Sequence, residues 1–165
     1  MNLKKILVLS LGLFVIGCSE SINDEEIESN ITGYVKYQKP IPNYYTTLEF
    51  QNDSVDIRFI PKHVNLENVK VRIDKTKSDI NSIEILPSKF NRKSFTGRVK
   101  VRTDKEVALL ISDDNGLPVL SVTGYNFRSG EDLTQNDKYA PGKEVTIEGE
   151  IQTLKFDWVG LTDCK

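Results

Sequence analysis

The chain has 165 residues, 38% of them hydrophobic and 28% charged, with 22 Lys+Arg against 24 Asp+Glu. A chain of that length buries one ordinary core or two very small ones. Over residues 31–165 the balance is 20 bases to 19 acids, and so neutral a charge argues against a dedicated nucleic-acid binder.

Met1–Lys5 carries two lysines and no acid, and Ile6–Ile16 (ILVLSLGLFVI) is an eleven-residue apolar run. As a helix at ~1.5 Å per residue it reaches ~16 Å, about half of a ~30 Å hydrocarbon core. That layout predicts a secretory signal rather than a membrane span. Val15-Ile16-Gly17-Cys18 then resembles the lipobox of bacterial lipoproteins. The resemblance implies removal of residues 1–17, a thioether from the Cys18 sulfur to diacylglycerol, and usually an acylated amino terminus. The membrane is thus an expected partner, through lipid on Cys18. Several acyl chains at ~0.8 kcal/mol per buried CH₂ make such an attachment effectively permanent.

Residues 18–30 are read as a lipidated acidic tether, because Ser19–Asn30 holds five acids, no base and no sustained apolar period. Acids close behind the cysteine, with Ser19 directly after it, resemble outer-membrane sorting and surface display in that family. The expected location is the cell envelope, at the outer membrane, facing the periplasm or the surface. With Cys18 lipidated, Cys164 has no disulfide partner, and stability must come from packing.

From residue 31 onward, period two dominates, as in Ile31-Gly33-Val35-Tyr37, Val55-Ile57-Phe59, Val69-Val71-Ile73, Val99-Val101 and Val145-Ile147-Gly149-Ile151. Alternation of this kind predicts half-buried strands. Val107–Ile111 (VALLI) is apolar throughout and predicts a strand buried on both faces. Asp114-Asn115-Gly116 predicts a type I′ hairpin turn. Ser129-Gly130-Glu131-Asp132 predicts a capping box opening a short helix that ends before Pro141.

The pattern is also written twice. ITGYVK (31–36) matches FTGRVK (95–100), VKVRI (69–73) aligns with VTIEG (145–149), and INSIEILPSK (80–89) with FDWVGLTDCK (156–165). In the second copy, three strands, a short insert and two strands, with Gly97 in the first strand, resemble the OB-fold, a small five-stranded barrel. The expected fold is all-β, with two small OB-like five-stranded barrels in tandem packed as one unit over residues 31–90 and 91–165. A single immunoglobulin-like β-sandwich is the alternative.

The search for chemistry is mostly negative. His63 is the only histidine and reads as an exposed loop imidazole; no metal or cofactor is expected. No nucleophile elbow, phosphate loop or zinc-protease segment occurs. Glu148 and Glu150 share a strand face, where a carboxylate pair is geometrically possible, but a solvated face accounts for them. Asp113–Gly116 reads as a turn rather than a calcium loop, and Cys164 as a structural thiol.

Two features are candidates for binding. Arg98, Lys100 and Arg102 alternate with Val99 and Val101, which places the three charges on one face. That face suits an anionic glycan, a lipid headgroup or an acidic envelope protein, although a solvated face that discourages edge pairing is the favoured reading. Phe156 and Trp158 are opposite in parity to Val159 and Leu161, so they face outward or pack against the other half, with packing favoured. The leading expectation is a non-enzymatic, lipid-anchored binding or assembly module. An envelope hydrolase or carbohydrate-active enzyme, and a purely structural envelope component, are the alternatives.

Replacing Cys18 with Ala is expected to leave the leader uncleaved and to abolish metabolic palmitate labelling. Equal labelling of wild type and variant would refute the lipobox assignment.

Overall fold

A computed structural model describes residues 29–165. The leader, Cys18 and the acidic segment through residue 28 lie outside the described residues. The fold is all-β, built from β1 (Asn30–Tyr34), β2 (Tyr37–Ile41), β3 (Tyr45–Glu49), β4 (Ser54–Arg58), β5 (Lys70–Asp74), β6 (Ile83–Ile85), β7 (Arg92–Arg102), β8 (Glu106–Ser112), β9 (Pro118–Tyr125), β10 (Glu144–Lys155) and β11 (Trp158–Thr162). No α-helix occurs among the described residues, which hold 3₁₀ turns at Ile80–Ser82, Leu133–Gln135 and Asp137–Tyr139.

Strands β7 to β11 close into a five-stranded barrel in the order β7-β8-β9-β11-β10 and back to β7. Every pairing is antiparallel except β11 with β9, which is parallel, Trp158 lying opposite Ser121 and Leu161 opposite Gly124. This closed barrel is OB-like and replaces the alternative of a single sandwich. Period two does the sorting: Phe95, Val99, Val107, Leu109, Leu120, Val122, Val145, Ile147 and Leu161 are buried, and each such side chain contributes ~1.5–3 kcal/mol of burial. The barrel is narrow enough that two strands need glycine. A Cβ on Gly97 would stand 2.9 Å from the Leu110 carbonyl oxygen, and one on Gly149 would stand 2.8 Å from both the Thr162 carbonyl oxygen and the Cys164 sulfur.

Three local expectations are corrected. Ala108 and Leu110 are half-buried while Val107, Leu109 and Ile111 are buried, so β8 alternates, because only one of its faces looks into a barrel. At the β8–β9 turn Gly116 is left-handed (φ 79°) but Asn115 is not. Asp113 Oδ1 instead accepts from the amides of Asn115 and Leu117, both at 2.9 Å, and Gly116 N–H closes on Asp113 O at 2.9 Å. The insert before β10 is two 3₁₀ turns rather than a helix. Asp132 and Asn136 accept from the amides of Thr134 and Lys138, restarting the chain every few residues. Buried Leu133 and Tyr139 hold the insert down, the latter edge-on to Phe127 at 5.3 Å.

The N-terminal half forms two three-stranded sheets, β1-β5-β6 and β2-β3-β4. A parallel bridge joins Arg58, at the end of β4, to Asp79, with Arg58 N–H donating to Ser78 O at 2.7 Å. Buried residues from Val35 to Cys164 make one contiguous core, so both halves share it. The covalent junction is a polar joint. Asn91 is 1% exposed; its Oδ1 accepts from Lys70 N–H at 2.9 Å, its Nδ2 donates to Leu86 O at 2.7 Å, and its carbonyl accepts from Ile151 N–H at 3.0 Å. One residue therefore ties β5 and the β6–β7 linker, through its side chain, to β10, through its backbone.

Asn91→Ala strands a buried donor and a buried acceptor and is expected to cost about 2–4 kcal/mol in urea denaturation. A loss below about 1 kcal/mol would show that the joint is not holding the halves.

Candidate binding cleft

The most distinctive side chains lie where the two halves face each other across a gap. The β2–β3 hairpin turns through Asn43 and Tyr44, both left-handed at φ 65°, and Phe59, just past β4, is left-handed at φ 64°. Glycine is the residue that normally takes this conformation, and a bulky aromatic there is a true outlier. The two are coupled, Phe59 N–H donating to Tyr44 O at 2.9 Å. The result is to throw both rings outward: Tyr44 is 82% exposed and its ring lies 6.4 Å from that of Phe59.

The barrel supplies the facing wall. Phe156, in the β10–β11 turn, is 62% exposed and meets Phe59 edge-on at 5.7 Å. Tyr44, Phe59 and Phe156 thus run as three rings in succession across the junction. Behind them the Arg58 guanidinium stacks over Tyr45 at 4.9 Å. The half-open cleft has a volume of about 780 Å³, within the range of small-ligand sites. Its floor is apolar, with Ile41, Ile60 and Val119, and its polar groups are sorted by wall. Lys62 and His63 come from the N-terminal half, and Asp113, Asp114 and Asp157 from the barrel turns.

The sequence candidates are placed unevenly. Phe156 joins the cleft, but Trp158 does not. Its Nε1 donates to Thr123 Oγ1 at 3.0 Å, and its ring lies where a Cβ on Gly160 would meet it at 3.0 Å. Trp158 is a strut along the barrel wall, with the Lys155 ammonium 5.7 Å from its ring. Arg98 and Lys100 are exposed on β7 and do not line the cleft. Arg102 leaves their face. A bulge between Val99 and Val101 changes the parity of β7, exposing Val101 and turning Arg102 toward the insert. Its Nη1 donates to Asn136 O at 2.7 Å and Leu133 O at 3.3 Å.

Glu148 and Glu150 are occupied by cations. Arg92 Nε donates to Glu148 at 3.1 Å and its Nη1 lies 3.8 Å from Glu150, while Lys165 Nζ reaches Glu148 at 3.1 Å. Arg92 also donates to Asp163 Oδ2 at 2.8 Å, and Arg128 grips the same carboxylate through Nε at 2.7 Å and through Nη2. Hydrogen bonds from Arg128, then Arg92, hold the Asp163 carboxyl down at about 2. Next along the chain, Cys164 is buried against the barrel glycines, and burial pushes its thiol up to about 11, which keeps it protonated and unreactive.

Period two ran one step too far at Phe59, placing it on the inward face with Val55 and Ile57, whereas β4 ends at Arg58 and Phe59 turns outward, 41% exposed. Tyr44 was missed because it sits in a turn, where period two stops. The available signal was the pair Tyr44-Tyr45 after Pro42-Asn43, together with an aromatic two residues before Pro61. No family model matches the chain, and no curated protein or solved structure matches it.

The Asp163 carboxylate is depressed on folding, so it stabilises the fold above the ordinary carboxylate range of about 4. That contribution disappears as pH falls toward about 2. Asp163→Asn is expected to lower the urea midpoint at pH 7 and to shrink the difference in stability between pH 7 and the acid end. An unchanged difference would refute the assignment.

Proposed function

We propose that this protein is a non-enzymatic binding module, anchored in the outer membrane of the cell envelope by lipid on Cys18, that holds its ligand in the cleft between the two halves. The observation that carries the reading is the pair Tyr44 and Phe59, two aromatic residues kept on left-handed backbone so that their rings stand in the open beside Phe156. Such strain costs of order 1–3 kcal/mol per residue and clusters at ligand sites, where the surrounding fold over-determines it. An exposed contiguous aromatic surface is itself the mark of an interaction site. The envelope location rests on the lipobox. A binding rather than hydrolytic role is supported by Glu148 and Glu150 being spent on Arg92 and Lys165, and by His63 having no side-chain partner to orient it among the described residues.

We infer further that the N-terminal half is a second OB-like copy, opened along one seam. Taken together as one bent strand, β1 and β2 pair with β5 and β3 as β7 pairs with β10 and β8. The Arg58–Asp79 bridge stands where the parallel β9–β11 ladder closes the barrel. Gly33 lies opposite Val71, as Gly97 lies opposite Val145. Val71 rather than Val69 is therefore the counterpart of Val145, a slip of one pleat repeat that preserves side-chain parity.

Tyr44→Gly separates function from packing. Glycine relieves the left-handed strain, so the variant is expected to gain roughly 1 kcal/mol in thermal or urea unfolding. In the same variant, retention of envelope material on the immobilised protein, identified by mass spectrometry and sugar analysis, should fall. A destabilised variant with unchanged retention would mean that Tyr44 is a packing residue and that the cleft is not the site.

A further inference from the structure

We propose that the ligand of this cleft is a neutral oligosaccharide, stacked on the Tyr44, Phe59 and Phe156 rings; this rests on the binding-module reading. Two requirements define the occupant. Its faces must be flat and apolar, because the floor is aromatic and aliphatic, with the Tyr44 and Phe59 rings inclined by 31° and Phe156 standing edge-on to Phe59 at its end. Its edges must both donate and accept hydrogen bonds. Asp114 and Asp157 on the barrel wall accept only, and Lys62 on the opposite wall donates only. Among the described residues Asp114, Asp157, Lys62 and His63 make no side-chain hydrogen bond or ion pair, so these groups are free to meet a ligand. A pyranose meets both demands, with C–H groups on its faces and hydroxyls, which donate and accept, around its rim.

Other occupants fail one requirement. A proline-rich peptide stacks on aromatic grooves but offers mainly carbonyl acceptors, leaving the carboxylates unserved. An acyl chain satisfies the floor and strips water from the polar rim without replacing it. Nucleic acid and anionic glycans bring negative charge against the carboxylates of Asp113, Asp114 and Asp157. A cationic peptide meets Lys62, with Arg58 behind it over Tyr45. A neutral ligand with hydroxyls at its rim avoids each conflict. Because the rings belong to both halves, such a ligand also bridges them and stabilises the folded state by mass action.

The test is isothermal titration of the full chain in detergent with cellohexaose, maltohexaose, laminarihexaose, xylohexaose and mannohexaose. At least one is expected to bind with a Kd below about 1 mM, with little dependence on salt because the contacts are uncharged on the ligand side. Phe156→Ala and Tyr44→Gly should each weaken that affinity roughly tenfold, a loss of about 1.4 kcal/mol. Asp157→Asn should weaken it as well, while Arg98→Gln should not. The proposal is overturned if none of the five binds, or if binding is indifferent to Phe156 and Tyr44. It is equally overturned if a proline-rich peptide or phosphatidylglycerol vesicles bind through those rings and the sugars do not. Loss of envelope retention in Tyr44→Gly without any sugar binding removes the saccharide and leaves the binding cleft standing. Release of reducing ends from a bound sugar would convert the module into a hydrolase.

Discussion

The arrangement of the molecule depends on how Asn91 is satisfied. It is one of few polar residues in a core that is otherwise apolar, and it makes its contacts to three separate stretches of backbone. A buried amide left without partners is costly, whereas one with fixed partners specifies a single geometry. Apolar contact between the halves supplies attraction but little directional preference. The joint adds the direction: β5 and β10 are held in one relation, and the gap at the far side of the interface becomes a cleft of defined width.

That cleft is built from turn residues on both sides, strained on one of them. The barrel contributes Phe156 and the aspartates from its turns, where side chains are free of the inward-outward alternation. The N-terminal half contributes Tyr44 and Phe59 from turns in which the backbone has been forced left-handed. The backbone hydrogen bond between them couples the two left-handed turns. Rigid strands on either side then convert a local cost into a preorganised surface, which reduces the ordering that binding would otherwise require.

Barrel closure is secured at the other end of the chain. Asp163 accepts from Arg92 and Arg128, Lys165 pairs with Glu148 through backbone as well as side chain, and Cys164 fills the space that Gly124 and Gly149 leave. Since these ion pairs are only partly buried, geometry and number matter more than any single pair. Charges that read as a catalytic possibility along one strand are thus consumed in fastening the last residues. The bulge in β7 has a comparable effect: it diverts Arg102 from a surface stripe to the carbonyls of the 3₁₀ insert.

Period-two alternation by itself determined the all-β class and the inward residues of β5, β10 and most of β1, because a strand's two faces are set by side-chain parity alone, while the OB-like character of the second half was legible in its order of strands, insert and strand-one glycine. It also located Phe156 and Trp158 as outward residues. Which of the two would face the other half was undecided, since parity carries no information about what lies opposite. The turn at Asp113–Gly116, the 3₁₀ insert and the β7 bulge were misread for a related reason: each depends on a side chain capturing backbone groups, a competition that pattern and propensity do not resolve. Tyr44 and Phe59 were invisible as a site because they lie 15 residues apart in separate turns, and their proximity is created by the β3–β4 hairpin between them. Only the tertiary structure decided the cleft, because a site shared by two halves exists only once their packing has fixed the distance between them.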